Sequence, residues 1–184
     1  KPTWGRVSRH GVFPLASSLD HIGPMARSAA DCAAILQVIA GWDAHDPTSI
    51  DTPVPEYSSE VGKSIRDMRI GIDRSYSFDG TDLQIATALE KAIAVLEGLG
   101  ARIVEVRMPD YDDLVQAWNM MCAIETAVAH QDTYPARADE YGPDLAQLID
   151  EGHATTGMKA ARGHHLRVLF TSAFSTIFSE VDCM

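Results

Sequence analysis

RHGVFPLASSLDHIGPMARSAADCAAIL, residues 9–36, is dense in polar turn chemistry before any strand or helix is due. A Ser-Ser-Leu-Asp turn at Ser17–Asp20 leads through Gly23 and Pro24 into a helix start. Ser28-Ala-Ala-Asp31 has the form of a capping box with Asp in place of Glu. The Ser28 hydroxyl can accept an orphan amide of the first turn, and Asp31 suits the positive helix end. Cys32, Ile35, Leu36 and Ile39 follow at helical spacing, and Gly41 can supply a left-handed exit. An ordinary domain opens on an element that can be tied down, whereas this chain opens on loops.

Outward from that stretch, residues 42–64 carry three prolines among scattered Asp, Ser and Thr and read as a surface loop. Arg69–Ile72 reads as a short buried strand. Asp82–Glu97 is amphipathic, with Ile85, Leu89, Ala92, Ile93 and Leu96 on one face and Gly98 and Gly100 ending it. Ala101–Val106 is a β-branched strand. These lengths make a βαβ unit, so the two strands should be parallel neighbours or near-neighbours with a right-handed crossover. Pro109 closes the unit. Asp113 to His130 reads as a long helix, Asp144–Glu151 as a short one, and Gly157–Val181 as a long final helix interrupted at most near Gly163. The class is α/β, and there is no internal repeat.

Composition excludes some functions. With 15 basic and 26 acidic residues, the net charge of −11 leaves no clustered Lys and Arg for a phosphate backbone, so no nucleic-acid partner is expected. No run of eighteen apolar residues could span a bilayer. Cys32, Cys122 and Cys183 are odd in number and far apart, two of them in apolar helix patterns, which suits reduced thiols and the cytoplasm.

Self-contained catalytic motifs are missing. Ser17 and Ser18 have no Gly-x-Ser-x-Gly elbow around them and no base at a telling distance, so they read as a polar turn before Leu19. His164 and His165 are adjacent on a helix and diverge by about 100°, and no i, i+4 His pair or Cys-x-x-Cys occurs, so no metal is expected. GLGAR at 98–102 follows a helix rather than a strand, the wrong order for a dinucleotide fingerprint. No cofactor is indicated.

The opening residues nevertheless carry an ordered run of motifs: Lys1-Pro2-Thr3, Gly5-Arg6-Val7-Ser8, Ser18-Leu19-Asp20, Gly23-Pro24, Asp31, the Ala40-Gly41 helix end, and DPTS at Asp46–Ser49. In this order they strongly resemble the amidase signature family. MRIGI at Met68–Ile72, LGARIVEV at Leu99–Val106 with Pro109, Glu125, and FSEVD at Phe178–Asp182 continue the resemblance more weakly.

That resemblance implies a mixed central β-sheet flanked by helices, and amide hydrolysis by a Ser–cis-Ser–Lys triad through an acyl-serine intermediate. In the family the nucleophile, the cis-Ser and the Lys all precede the Lys-Pro-Thr element, so residues 1–184 are expected to be one incomplete domain, an internal fragment without the triad. Within it, 1–64 would be post-nucleophile loops and helix, 65–109 the βαβ unit, and 110–184 a helical substrate-side region. Apolar faces meant to be covered would then be exposed, and a homodimer is one way to cover them.

By the same resemblance Asp20 supports the active site by accepting amides in the loop behind the nucleophile segment. Trp118 and Asn119 fall where relatives present pocket-lining side chains, although the residue pattern alone equally allows Trp118 to be core. The partner implied is a small-molecule amide. The A subunit of a tRNA-dependent amidotransferase shares the opening motif and is the alternative. Its helix continues past the Glu with an Asn-Leu-x-Arg-x-Asp-Gly-like run, whereas here Glu125 is followed by TAVAHQDTYPARADEYG, which favours a stand-alone amidase. A third reading is a non-catalytic paralogue acting as a binding module.

Overall fold

The computed structural model describes residues 2–184, so Lys1 of the Lys-Pro-Thr element lies outside the described residues. The chain divides into two compact units, residues 2–63 with Met121–Thr155, and Ser64–Met120 with Thr156–Met184.

In the first unit, helix α1 spans Ala29–Ile39, and the Ser28 hydroxyl accepts the Asp31 amide at 3.1 Å, as the capping pattern requires. The chain leaves α1 through Ala40 in extended backbone and Gly41 at φ +146, a region that L side chains rarely enter. There the Gly41 amide donates to the Arg6 carbonyl at 3.0 Å, and Val7 pairs antiparallel with Ala40. Arg6 is buried without a carboxylate partner among the described residues. Its guanidinium donates instead to the Tyr57 hydroxyl at 2.9 Å and to the Thr52 and Pro53 carbonyls, which ties the proline-rich loop to the opening segment.

The core of this unit forms where α5 (Pro143–Ala154) packs on the last turns of α4 (Asp112–Ala129). Ile149 and Thr126 are fully buried there, with Met121, Ala123 and Ala127 nearly so. Gly152 makes the approach possible. A Cβ at that position would lie 2.2 Å from the Ala123 carbonyl oxygen and 2.8 Å from the Ala127 Cβ.

The second unit carries β1 (Arg69–Ile72), α2 (Arg74–Phe78), α3 (Leu83–Gly98), β2 (Arg102–Glu105), the start of α4, and α6 (Gly157–Ile177). β1 and β2 pair in parallel with Arg69 opposite Arg102 and Ile72 opposite Glu105, so the βαβ expectation holds. Residues 182 and 183 run beside the other edge of β1. The Gly71 amide donates to the Cys183 carbonyl at 2.7 Å, the Asp182 amide donates to the Arg69 carbonyl at 2.8 Å, and Val181 is buried. α6 runs without interruption at Gly163 and ends at Ile177, where 178–181 turn rather than continue the helix.

Short helix α2 was not anticipated. Asp73 makes it by accepting the Tyr76 amide at 3.1 Å, and its other oxygen accepts the Met108 amide at 2.6 Å. The apolar stripe of α3 is only half covered: Ile85 is 56% exposed and Leu89 38%, Ile93 and Leu96 are half-buried, and no residue of the helix is buried. Amphipathic periodicity says that a face wants cover, and here the described residues offer α3 little beyond β2. Among the described residues no helix is long and apolar enough to cross a membrane.

Candidate functional site

The Ser-Ser-Leu-Asp turn is built from inside by Asp20. Its carboxylate accepts the Leu15 amide at 3.0 Å and the Ala16 amide at 3.1 Å, while the Ala16 carbonyl accepts the Leu19 and Asp20 amides at 2.8 Å each. The two amides lie five and four residues back, so the carboxylate closes the turn on itself. Asp20 thus braces the turn from within. Ala16 is buried beneath it.

From outside, α4 holds the same turn through two consecutive residues. Glu125 accepts the Ser18 amide at 2.7 Å and the Ser18 hydroxyl at 2.6 Å, one on each carboxylate oxygen. The Thr126 hydroxyl donates to the Leu15 carbonyl at 3.1 Å. Hydrogen bonds to a charged acceptor are shorter and stronger than neutral ones, so this two-point grip is firm. The Ser18 proton is directed at Glu125, which leaves the serine a tether.

The turn forms one wall of a cavity of about 410 Å³, with Leu15, Ser17 and Asp20 on that side. Arg9 closes another side. Its guanidinium donates to the Ser17 carbonyl and, at 2.9 Å, to the Thr48 hydroxyl, and lies 5.3 Å from the centre of the Trp4 ring. Buried Asp46 organises this edge by accepting the Arg9 amide at 2.8 Å, the Thr48 amide at 2.9 Å and the Thr48 hydroxyl at 2.6 Å. The Thr48 hydroxyl, then the two amides, hold the Asp46 carboxyl below its ordinary value. At the mouth the rings of His10 and His45 stand 4.9 Å apart, and the His45 Nδ1 meets Asp43 at 2.9 Å. The Asp43 carboxyl is lowered to about 2, first by the Ser8 hydroxyl and then by His45. The result is a cleft with an apolar side at Val12, Phe13 and Leu15 and polar groups at Arg9, Asp20 and Asp46. It can bind and orient a small molecule.

Trp118 and Asn119 sit on α4 in the second unit and are both exposed, Trp118 by 52%, so Trp118 is not a core residue of the described chain. They do not line the groove of about 420 Å³ that α4 and α6 form there, whose walls are Gln116, Ala117 and Met120 with Arg162, Gly163 and Leu166. Among the described residues no cluster of three His, Cys, Asp or Glu is placed to hold a metal ion.

The Amidase family profile matches residues 1–184. The chain belongs to the amidase family. It is 43% identical over 184 residues to a putative amidase, AmiD, of Mycobacterium tuberculosis, with 100% of this chain and 38% of the relative covered. The A subunit of the glutamyl-tRNA(Gln) amidotransferase of Chromohalobacter salexigens is 46% identical over 208 aligned positions, covering 100% of this chain and 43% of that protein. The AmiD alignment has no surplus over the 184 residues of this chain, whereas the amidotransferase alignment has about 24 more positions than this chain has residues. A bacterial aryl acylamidase of the amidase signature family superposes with a TM-score of 0.76 at 24% identity, over 98% of this chain and 39% of its own. A protein from a vestigial complex bearing on the origins of an s-triazine catabolic enzyme superposes with a TM-score of 0.88 at 24% identity, over 99% and 39%. The fold is therefore that of the amidase signature enzymes. The chain spans about two-fifths of the length of these relatives.

The sequence marked Asp20, and in the structure Asp20 braces the turn that walls the cavity. It marked Glu125 only as a landmark and gave it no partner. Arg9 has no part in the sequence reading, and Asp46 enters it only as the start of the Asp46–Ser49 motif, with no role given. Asp-Pro-Thr-Ser at 46–49 was the available signal, since Asp two residues before a hydroxyl is a self-capping turn.

Proposed function

We propose that the protein to which this chain belongs hydrolyses a small-molecule carboxamide to an acid and ammonia or an amine through an acyl-serine intermediate. The observation that carries this reading is the match of the Amidase family over all of 1–184, which spans the ordered motifs from Lys1 to Ser49. The nucleophilic serine, cis-serine and lysine of the family are assigned to residues outside 1–184, in keeping with the commitment of Ser18 to Glu125. A neutral lysine would draw a proton through the cis-serine as the nucleophile attacks the amide carbonyl, and water would then release the acid. Asp20 is the brace behind the substrate cleft, and Trp118 and Asn119 are substrate-contacting residues of the complete site. The site is assigned no metal or cofactor. The compartment is assigned as the cytoplasm, on the odd number and wide spacing of Cys32, Cys122 and Cys183.

A second reading, the A subunit of a tRNA-dependent amidotransferase, is favoured by the level of identity to such subunits. The alignment without surplus positions to AmiD and the run after Glu125 weigh toward a stand-alone amidase. Ammonia release from a panel of carboxamides by the full reading frame tests both. A stand-alone amidase acts without partner subunits, whereas a glutamine preference appearing only with partner subunits would move the assignment to the amidotransferase. Residues 1–184 expressed alone are expected to release no ammonia, and release that is lost on Ser17→Ala or Ser18→Ala would place the nucleophile in this chain.

A further inference from the structure

We propose that Glu125 is a positioning residue of the amidase site, acting through the Ser17–Ser18 peptide group to fix the cleft wall and the Arg9 guanidinium. This rests on the amidase reading above. One planar peptide unit joins the two halves of the observation. Its N–H is the Ser18 amide, which donates to Glu125 Oε2 at 2.7 Å. Its C=O is the Ser17 carbonyl, which accepts the Arg9 guanidinium. The peptide plane is thus clamped at both ends by opposite charges, carboxylate at the N–H and guanidinium at the C=O, an arrangement in which each hydrogen bond polarises and strengthens the other. The second Glu125 oxygen takes the Ser18 hydroxyl at 2.6 Å and so fixes the rotation of the carboxylate.

Asp20 cannot replace this grip. Its bonds run to Leu15 and Ala16 and close the turn on itself, but they leave the 17–18 peptide free to rotate about its flanking dihedrals. Without Glu125 the Ser18 amide loses its acceptor. The peptide can then flip, taking the Ser17 carbonyl away from Arg9 and changing the wall that Ser17 and Arg9 present to the cleft. Thr126 holds only the Leu15 carbonyl, at the far end of the turn. The role is geometric, since both oxygens of Glu125 face the turn's own donors and not the cleft.

The geometry dictates which substitution rescues. Glutamine has the same length, and its Oε1 can accept the Ser18 amide while its Nε2 donates to the Ser18 hydroxyl oxygen, whose proton turns away. Both contacts survive without the charge. Aspartate keeps the charge but withdraws the carboxylate by about 1.5 Å, one methylene, so both contacts stretch beyond hydrogen-bonding distance.

The test measures kcat and KM for amide hydrolysis on the full-length protein with Glu125→Ala, Glu125→Gln and Glu125→Asp. A binding wall that loses its geometry raises KM more than it lowers kcat. Glu125→Ala is expected to raise KM about tenfold or more, with kcat within roughly threefold of the parent, and Glu125→Gln to return KM to within roughly threefold. Glu125→Asp is expected to resemble Ala more than Gln. If Glu125→Ala lowers the yield of folded protein, the Gln-against-Asp order carries the test by itself. Asp outperforming Gln would show that charge and not reach is what matters, and would overturn the inference, as would a parent-like KM in Glu125→Ala. A parent enzyme inactive on every amide would instead overturn the amidase reading, and this inference with it.

Discussion

Replacing Gly152 by alanine probes the close contact of α5 with α4. The added methyl carbon would start 2.2 Å from the Ala123 carbonyl oxygen, 2.7 Å from its carbon and 2.8 Å from the Ala127 Cβ. Real Cβ atoms do not approach others below 3.0 Å, so α5 must move off α4. The obstruction is helix backbone, which has no rotamer to change, so the overpacking cost falls toward the upper end of about 1–3 kcal/mol. Displacing α5 also loosens Ile149 and Thr126, both fully buried beside it. Against this stands the gain of roughly 1 kcal/mol for alanine over glycine within a helix. The net expectation is a loss of about 2 kcal/mol, or a fall of about 4–8 °C in Tm for a chain of this size. Gly98→Ala is the control. It is the same change at the end of α3, with nothing within 4 Å of the new methyl, and it should leave Tm unchanged or raise it. Thermal melting followed by far-UV circular dichroism on the chain and both variants reads the difference. Gly152→Ala melting at or above the parent would refute the packing described for α4 and α5.

Acid should unfold the first unit by protonating carboxylates that the fold holds ionised. The carboxyls of Asp46 and Asp43 lie below the ordinary 3.8, Asp43 at about 2, so their contribution is complete above about pH 4 and lost as pH falls toward about 2. Asp46→Asn should lower stability at neutral pH and flatten that slope in urea unfolding measured across the range; an unchanged slope would contradict it. In the second unit Asp73, lowered first by the Met108 amide and then by the Tyr76 amide, should behave likewise, with Asp73→Asn fraying α2 in hydrogen exchange. Asp20→Ala should cost about 1–3 kcal/mol, because the buried Ala16 amide loses its acceptor. Asp20→Asn, which keeps one carbonyl oxygen, should recover part of it, and equal losses in urea unfolding would show that the brace does not depend on acceptor chemistry.

What the sequence made legible and what it hid divide along a physical line. The Ser28 cap is a local rule, with its partner three residues away, and the amides that Asp20 accepts lie four and five residues back in its own turn. The parallel pairing of β1 and β2 is less local, but a right-handed crossover of this length leaves few alternatives. α2 escaped because its five residues carry no apolar period, and its cap is an Asp whose second oxygen is spent on Met108, 35 residues away. Helix α3 was legible from its apolar period, which reports which face is apolar and says nothing of what meets it. The hold of Glu125 on Ser18 is the extreme case, with 107 residues between the partners. A glutamate on a helix has no spacing signature for such a contact, because what selects it is two donors, one amide and one hydroxyl, presented side by side by a turn elsewhere. That explains how Asp20, whose donors come from its own turn, could be read as structural from sequence, while Glu125, carrying the same chemistry across the fold, stood out only as a landmark.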